Sequence, residues 1–445
     1  MFFYEENSTL NSTEYKRYHE SFMQNNHGST LLHTFLCISF TVQCALIVSL
    51  MKVKNYIYEY VIIILPLICA HTILSNYIYE LNLFTFLLLT YKFKNKINLN
   101  TISNKLKQKN ILNNNIITSI TYVRGLTYLI TVFCILAVDF KFFPRHLAKT
   151  ERYGYSLMDT GVGLFVLISG LVHKDLHSHN FVAILRSNIK FVSILCILGV
   201  FRFVSIKKLD YQEHISEYGV HWNFFFTLAI CKLTSTILLH FTSRSLFLSM
   251  FMLMLHEVLL YNGLQNWVFS DNPRVSLLSA NREGISSSLG YVALYLYGAH
   301  TKTILSNQSL RKLDVLSYLS LNSLLLWVYL KSFEQIIPPS RTLANLTYCL
   351  YLEAIFITVL LLLFFLDITI YDKNEKNILF VPYILQNINK NGLLYFLVSN
   401  ILTGVINMSI RPLFVSSTYT LLILNTYMIV TIVITVFLNN VGIKL

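Results

Sequence analysis

The residues of this chain that could do chemistry gather in four short segments. The first runs from Ala137-Val138-Asp139-Phe140 through Phe143-Pro144-Arg145 to Ala148-Lys149-Thr150-Glu151, so a carboxylate and an ammonium stand ten residues apart across a proline-broken turn. The second, Glu217-Tyr218-Gly219-Val220-His221-Trp222-Asn223, supplies an imidazole. The third is Ser279-Ala280-Asn281-Arg282-Glu283-Gly284, and the fourth holds Arg341, Asn345 and Tyr348. Each lies at the end of a long apolar run. Ionisable groups at membrane depth are costly, so an acid, a cation and an imidazole converging from several helix ends mark a site. Structural readings compete at each position. Asp139 could pair with Arg145 or Lys149 as a helix-end ion pair, His221 beside Trp222 could belong to an interfacial aromatic belt, and Asn281-Arg282-Glu283 could cap the run that follows. Convergence on one face favours the site.

The elements that must position these groups are membrane helices. Of 445 residues, 54% are hydrophobic and 13% charged, with a mean hydropathy of +0.55, which excludes an ordinary soluble domain. Apolar stretches long enough to cross the roughly 30 Å of hydrocarbon recur from residue 31 to residue 440. The pattern predicts an all-α, polytopic transmembrane helical bundle of about 13 transmembrane helices. They fall near 31-50, 56-73, 75-90, 117-139, 157-173, 189-206, 220-240, 244-262, 285-301, 313-332, 346-369, 393-411 and 416-440. Residues 1-30 form a polar N-terminal segment without a cleavable signal peptide, and 31-445 a single membrane domain without internal repeats. The seven cysteines show no CxxC pair and no metal-ligand spacing, and read as packing residues. The net charge of +13 sits in connectors, where it orients a membrane protein, and a nucleic-acid partner is rejected.

Orientation follows from the connector 91-115, with Lys92, Lys94, Lys96, Lys105, Lys107 and Lys109 among asparagines. Positive connectors stay cytoplasmic. Three spans before it put the N-terminus in the lumen, the C-terminus in the cytoplasm, and all four polar segments on the lumenal side. The sequons Asn7-Ser8-Thr9 and Asn11-Ser12-Thr13 agree with that placement.

These residues resemble the inositol acyltransferases of glycosylphosphatidylinositol (GPI) anchor synthesis, which acylate glucosaminyl-phosphatidylinositol. The resemblance runs through Glu20-Ser21-Phe22, Cys134-Ile135-Leu136-Ala137-Val138-Asp139-Phe140, Phe143-Pro144-Arg145, Tyr153-Gly154, Ser156-Leu157-Met158-Asp159 and Gly161-Val162-Gly163. It continues in Tyr218 to Phe225, Ala280 to Ile285, Arg341 to Leu346, Asn391-Gly392-Leu393, Asn400 to Gly404 and Asn407-Met408-Ser409. Two departures stand out. Arg411-Pro412 replaces the small polar residues usual after Ser409, so no role is assigned to the end of the twelfth span. The asparagine- and lysine-rich connector 91-115 reads as a solvated loop peculiar to this chain.

The resemblance implies transfer of a fatty acyl chain, palmitoyl, from acyl-CoA to the 2-hydroxyl of inositol in glucosaminyl-phosphatidylinositol, at the lumenal face of the endoplasmic reticulum membrane. It implies no cofactor beyond the acyl donor; the partners are acyl-CoA, glucosaminyl-phosphatidylinositol and membrane lipids. Such a site needs a general base, a donor for the oxyanion and an apolar slot. Asp139 is the expected base, since desolvation at the end of an apolar helix strengthens a carboxylate in that role, and Lys149 the expected cation. His221, with Asn223 as its partner, is the alternative base. Arg124, about 22 Å from Asp139 at 1.5 Å per residue, could meet coenzyme A phosphates on the cytoplasmic side, or simply snorkel. Arg145, Asp159, Asn281, Arg282, Glu283 and Asn345 are further substrate-binding candidates. A transporter or flippase of lipid intermediates is the alternative function, disfavoured by the absence of repeat symmetry. A noncatalytic subunit would not need the acid and cation at 139-149.

Overall fold

The structure, a computed structural model, describes residues 11–94, 99–110, 118–174, 181–207, 215–370 and 379–443. The Asn7 sequon, Lys96 and residues 111-117 lie outside these. In chain order the main helices are α1 (Ser12–Met23), α2 (Leu31–Met51), α3 (Tyr56–Ala70), α4 (Ser75–Lys94), α5 (Leu99–Lys107), α6 (Thr118–Ala137), α7 (Leu157–Gly170) and α8 (Phe181–Lys207). They continue with α9 (Phe224–Phe241), α10 (Ser245–Val268), α11 (Arg282–Ser306), α12 (Lys312–Glu334), α13 (Leu346–Thr369), α14 (Tyr383–Lys390), α15 (Gly392–Ser409) and α16 (Ser417–Val441). The chain is an all-helical polytopic membrane protein. One apolar core runs through the bundle from α2 to α16.

Every predicted span has a helix. Among the described residues nine helices are long and apolar enough to cross a membrane. The predicted spans 56-73 and 75-90 form α3 and α4, bent by 102° at a short break, and they count together as one broken span or a re-entrant loop. The break follows from sequence. At the corner itself the side chains of His71 and Thr72 bond back to the Leu67 and Ile68 carbonyls at 2.7 and 2.6 Å, while inside α3 the turn Tyr60–Ile64 ahead of Pro66, which has no N–H, widens into a π-helix. Helix α7 is apolar but only 14 residues long, and α11, 25 residues long, opens on the charged pair Arg282 and Glu283.

Polar side chains tie the helices where apolar packing alone is not specific. Gln43 of α2 donates to Asn82 Oδ1 of α4 at 3.0 Å and accepts from Thr85 Oγ1 at 2.6 Å. Helices α7 and α11 approach closely at two glycines. A Cβ on Gly170 would lie 2.2 Å from the Tyr295 carbonyl oxygen, and one on Gly298 2.2 Å from that of Leu167. The connector read as a solvated loop needs correction. Its segment α5 packs on α12 and α13, with Lys105 buried and its Nζ donating to the Ile370 carbonyl at 2.7 Å.

Glu59 of α3 is wholly buried, and its two carboxylate oxygens each accept a backbone N–H from the first turn of α14, Tyr383 and Ile384, at 2.8 Å. These are orphan donors of a helix start, satisfied from a residue 324 positions away. Glu59→Ala leaves both buried N–H groups unpaired and is expected to lower stability by about 2–4 kcal/mol. The midpoint of thermal unfolding in detergent measures it, and an unchanged midpoint would show that α14 does not depend on this cap.

Candidate active site

Helix α6 ends at Ala137, and the chain then turns through Pro144 and the short Arg145–Leu147 turn before reaching α7. The N-terminal segment fixes this turn from outside. Asn26 Nδ2 lies 2.9 Å from the carbonyl oxygens of Arg145, Ala148 and Lys149, and the Asn25 N–H donates to Glu151 Oε2 at 2.7 Å. Arg145 donates to the Gln24 carbonyl and lies 4.8 Å over the Phe22 ring.

From inside, the turn is held by a buried charge network. Asp159, at the first turn of α7 where Ser156 caps it, accepts from the Thr150 N–H at 3.1 Å and Thr150 Oγ1 at 2.7 Å. Its other oxygen accepts from Arg341 Nε at 2.9 Å. Arg341 Nη1 lies 3.4 Å from Glu217 Oε1, and Glu217 Oε2 accepts from Lys149 Nζ at 2.7 Å. The series Asp159, Arg341, Glu217, Lys149 thus closes on itself, because Thr150 is the neighbour of Lys149. Burial opposes the charge on Arg341, but Glu217 and Asp159 outweigh it and raise its pKa.

Beside the network lies a cavity of about 250 Å³. Along α6 it is lined by Val123, Leu126, Thr127, Ile130, Thr131, Cys134, Ile135 and Val138, a stripe at helical spacing that ends at Asp139. From Val123 to Val138 the stripe is roughly 22 Å long, most of the thickness of the hydrocarbon layer. Phe165 of α7, Phe224 of α9 and Phe396 of α15 form part of the wall, their rings 4.9 to 5.8 Å apart. Asp139, Lys149 and His221 all line this one cavity. Asp139 is fully buried and accepts from Asn407 Nδ2 at 2.7 Å. Lys149 keeps two ammonium hydrogens beyond the one directed at Glu217.

His221 precedes α9, which begins at Phe224 instead of the expected 220. Its backbone N–H and that of Trp222 donate to Asn281 Oδ1 at 2.8 and 3.0 Å. Gly219 makes the turn possible, with φ +105° and its α-carbon pressed against Asn281, where a Cβ would meet backbone at 2.5 Å. The His221 ring stacks obliquely near Phe203, and its buried Nδ1 has no hydrogen-bond partner.

The other expected site residues divide differently. Asn223 touches the cavity but is a helix cap: its Oδ1 accepts from the Phe225 N–H and its Nδ2 donates to the Gly199 carbonyl, so it does not orient His221 through these bonds. Asn345 caps α13, accepting from Tyr348 and Ser340 N–H groups. Asp159 belongs to the charge network, and Asn281 acts on the backbone of His221. Arg282 donates to Ser270 and Asn272, while Glu283 pairs with Arg274. None of Arg124, Arg145, Asp159, Asn281, Arg282, Glu283 and Asn345 lines the cavity. Arg124 sits between the lining residues Val123 and Leu126, with its Nε unpaired. In the other direction, the end of the twelfth span was given no role, yet its Asn407 holds Asp139.

Fold and site together define a polytopic membrane protein whose apolar slot ends in a buried acid and a cation, a receptacle for a lipid chain with polar chemistry at one end. The chain belongs to the GWT1 family, whose family pattern matches residues 15–438. It is 38% identical to GPI-anchored wall transfer protein 1 of Schizosaccharomyces pombe, over 74% of this chain and 73% of that protein. It is 30% identical to the Bos taurus protein named glucosaminyl-phosphatidylinositol-acyltransferase PIGW, over 93% of this chain and 95% of that one. A phosphatidylinositol-glycan biosynthesis class W protein of Dictyostelium discoideum is also 30% identical, over 97% and 99%.

Proposed function

We propose that this chain is the acyltransferase that moves a palmitoyl chain from acyl-CoA to the inositol 2-hydroxyl of glucosaminyl-phosphatidylinositol, at the lumenal face of the endoplasmic reticulum membrane. The N-terminus is lumenal and the C-terminus cytoplasmic in this reading. The observation that carries it is the apolar slot along α6 that ends at Asp139, Lys149 and His221. The acyl chain lies in the slot with its thioester at the polar end. Asp139, held by Asn407, takes the hydroxyl proton as the oxygen attacks the thioester carbon. Lys149 donates to the tetrahedral oxyanion with a hydrogen not directed at Glu217. The intermediate collapses with loss of the coenzyme A thiolate, which recovers the proton from Asp139, and the products are the inositol ester and free thiol.

The purified protein, given labelled palmitoyl-CoA and glucosaminyl-phosphatidylinositol, is expected to convert the lipid to a form resistant to inositol-specific phospholipase C. Binding of both substrates with no acylated product would instead favour a carrier of lipid intermediates.

A further inference from the structure

One cation of the cavity is left without a counter-ion among the described residues. Arg202 lies near the end of α8, a helix with only 12% of its apolar window buried, which packs chiefly on α9. An arginine on such a helix avoids the cost of lipid either by running out to the membrane surface or by meeting an anion. Arg202 lines the cavity within electrostatic reach of Tyr218, and among the described residues it makes no hydrogen bond or ion pair. The neighbouring cations are engaged: Lys149 with Glu217, and Arg341 with Glu217 and Asp159. So are the carboxylates lining the cavity, Glu217 by these cations and Asp139 by Asn407.

Two further groups of the same lining lack hydrogen-bond partners among the described residues. Tyr218 is 8% exposed, with the Arg341 guanidinium 6.0 Å from its ring and Arg202 within electrostatic reach, and no described residue meets its hydroxyl at hydrogen-bond distance. Nor does any meet the buried Nδ1 of His221. Buried polar atoms are nearly always paired, so unpaired ones at a cavity wall point to a ligand. A guanidinium, a phenol and an imidazole in its Nδ1–H tautomer are all donors. Their common complement is an anion with acceptor oxygens on several sides, which a phosphate ester supplies and a neutral acyl chain does not.

We propose that Arg202, with Tyr218 and His221 beside it, binds a phosphate ester of a substrate in the cavity. The proposal rests on the acyl-transfer reading above, whose two substrates both carry phosphate: the lipid a phosphodiester, the acyl donor the coenzyme phosphates.

The test compares wild type, Arg202→Gln and Arg202→Lys as purified full-length chains in mixed micelles. KM is measured for glucosaminyl-phosphatidylinositol at saturating palmitoyl-CoA and for palmitoyl-CoA at saturating lipid, with direct binding of each radiolabelled compound alongside. Arg202→Gln is expected to raise one KM and weaken the matching binding by about tenfold or more, as loss of a charge-assisted contact does. Its kcat stays within about threefold, and Arg202→Lys restores part of the affinity. A rise confined to the lipid assigns the phosphodiester; one confined to palmitoyl-CoA assigns the coenzyme. Unchanged KM and binding in both arms overturns the proposal, as does a fall in kcat alone. If wild type makes no product, Arg202-dependent binding of either compound still upholds the phosphate site while the acyl-transfer reading fails. Equal binding by wild type and Arg202→Gln defeats the site.

Discussion

Replacing Asp139 by asparagine is expected to lower the rate of inositol acylation by about 10²- to 10⁴-fold, the range that a positioned general base contributes. That corresponds to roughly 3–5 kcal/mol at about 1.36 kcal/mol per decade. The substitution keeps size and shape, and the new side-chain oxygen can still accept the Asn407 amide that now donates to Asp139 at 2.7 Å. The thermal midpoint should therefore stay close to that of wild type, and binding of palmitoyl-CoA should be retained. What is lost is the acceptor for the hydroxyl proton. The measurement is kcat for formation of phospholipase-resistant lipid, read beside the unfolding midpoint. Activity within a few-fold of wild type would transfer the role of base to His221, which lines the same cavity.

Arg341→Leu should act in the opposite way, on the fold first. Arg341 is 4% exposed and sits between Asp159, 1% exposed, and Glu217, 14% exposed. Its removal leaves a buried carboxylate without its cation, a change that costs about 3–5 kcal/mol when one partner of a buried pair is deleted. It also loosens Glu217, which positions the Lys149 ammonium at 2.7 Å. The expected outcome is a large fall in the unfolding midpoint together with lost activity. Arg341→Lys restores the charge but cannot bridge two carboxylates with a planar fork, so it should recover only part of the midpoint. A midpoint unchanged in Arg341→Leu would mean that the network does not support the turn at 138–156.

The apolar runs were enough to place a helix at every predicted span, because a stretch that must satisfy its own backbone in lipid has few alternatives to a helix. Their number as membrane crossings was not readable. The 102° corner between α3 and α4 carries buried side-chain-to-backbone bonds from His71 and Thr72 that hydropathy does not register. The polar segments at helix ends stood out against so apolar a chain, and Asp139, Lys149 and His221 do meet at one cavity. Their partners were hidden by distance: Lys149 and Glu217 are 68 residues apart, Arg341 and Asp159 182. Asn223 and Asn345 carried a local signal that pointed the other way, since an asparagine just before an apolar run is a helix cap. Arg202 offered no signal, being one arginine within an apolar stretch whose neighbours across the cavity come from other helices.

The central claim is that the slot along α6 holds the acyl chain with its thioester at Asp139 and Lys149. A nonhydrolysable palmitoyl-CoA analogue with a photoreactive group at the far end of its chain tests this directly, after illumination, proteolysis and mass spectrometry. The account predicts labels on the α6 stripe between Val123 and Ile130 and on the wall around Phe165 and Val359, competed by excess palmitoyl-CoA. Labels confined to outward-facing positions such as Leu321, Leu324 and Val328 of α12, unaffected by competitor, would contradict it.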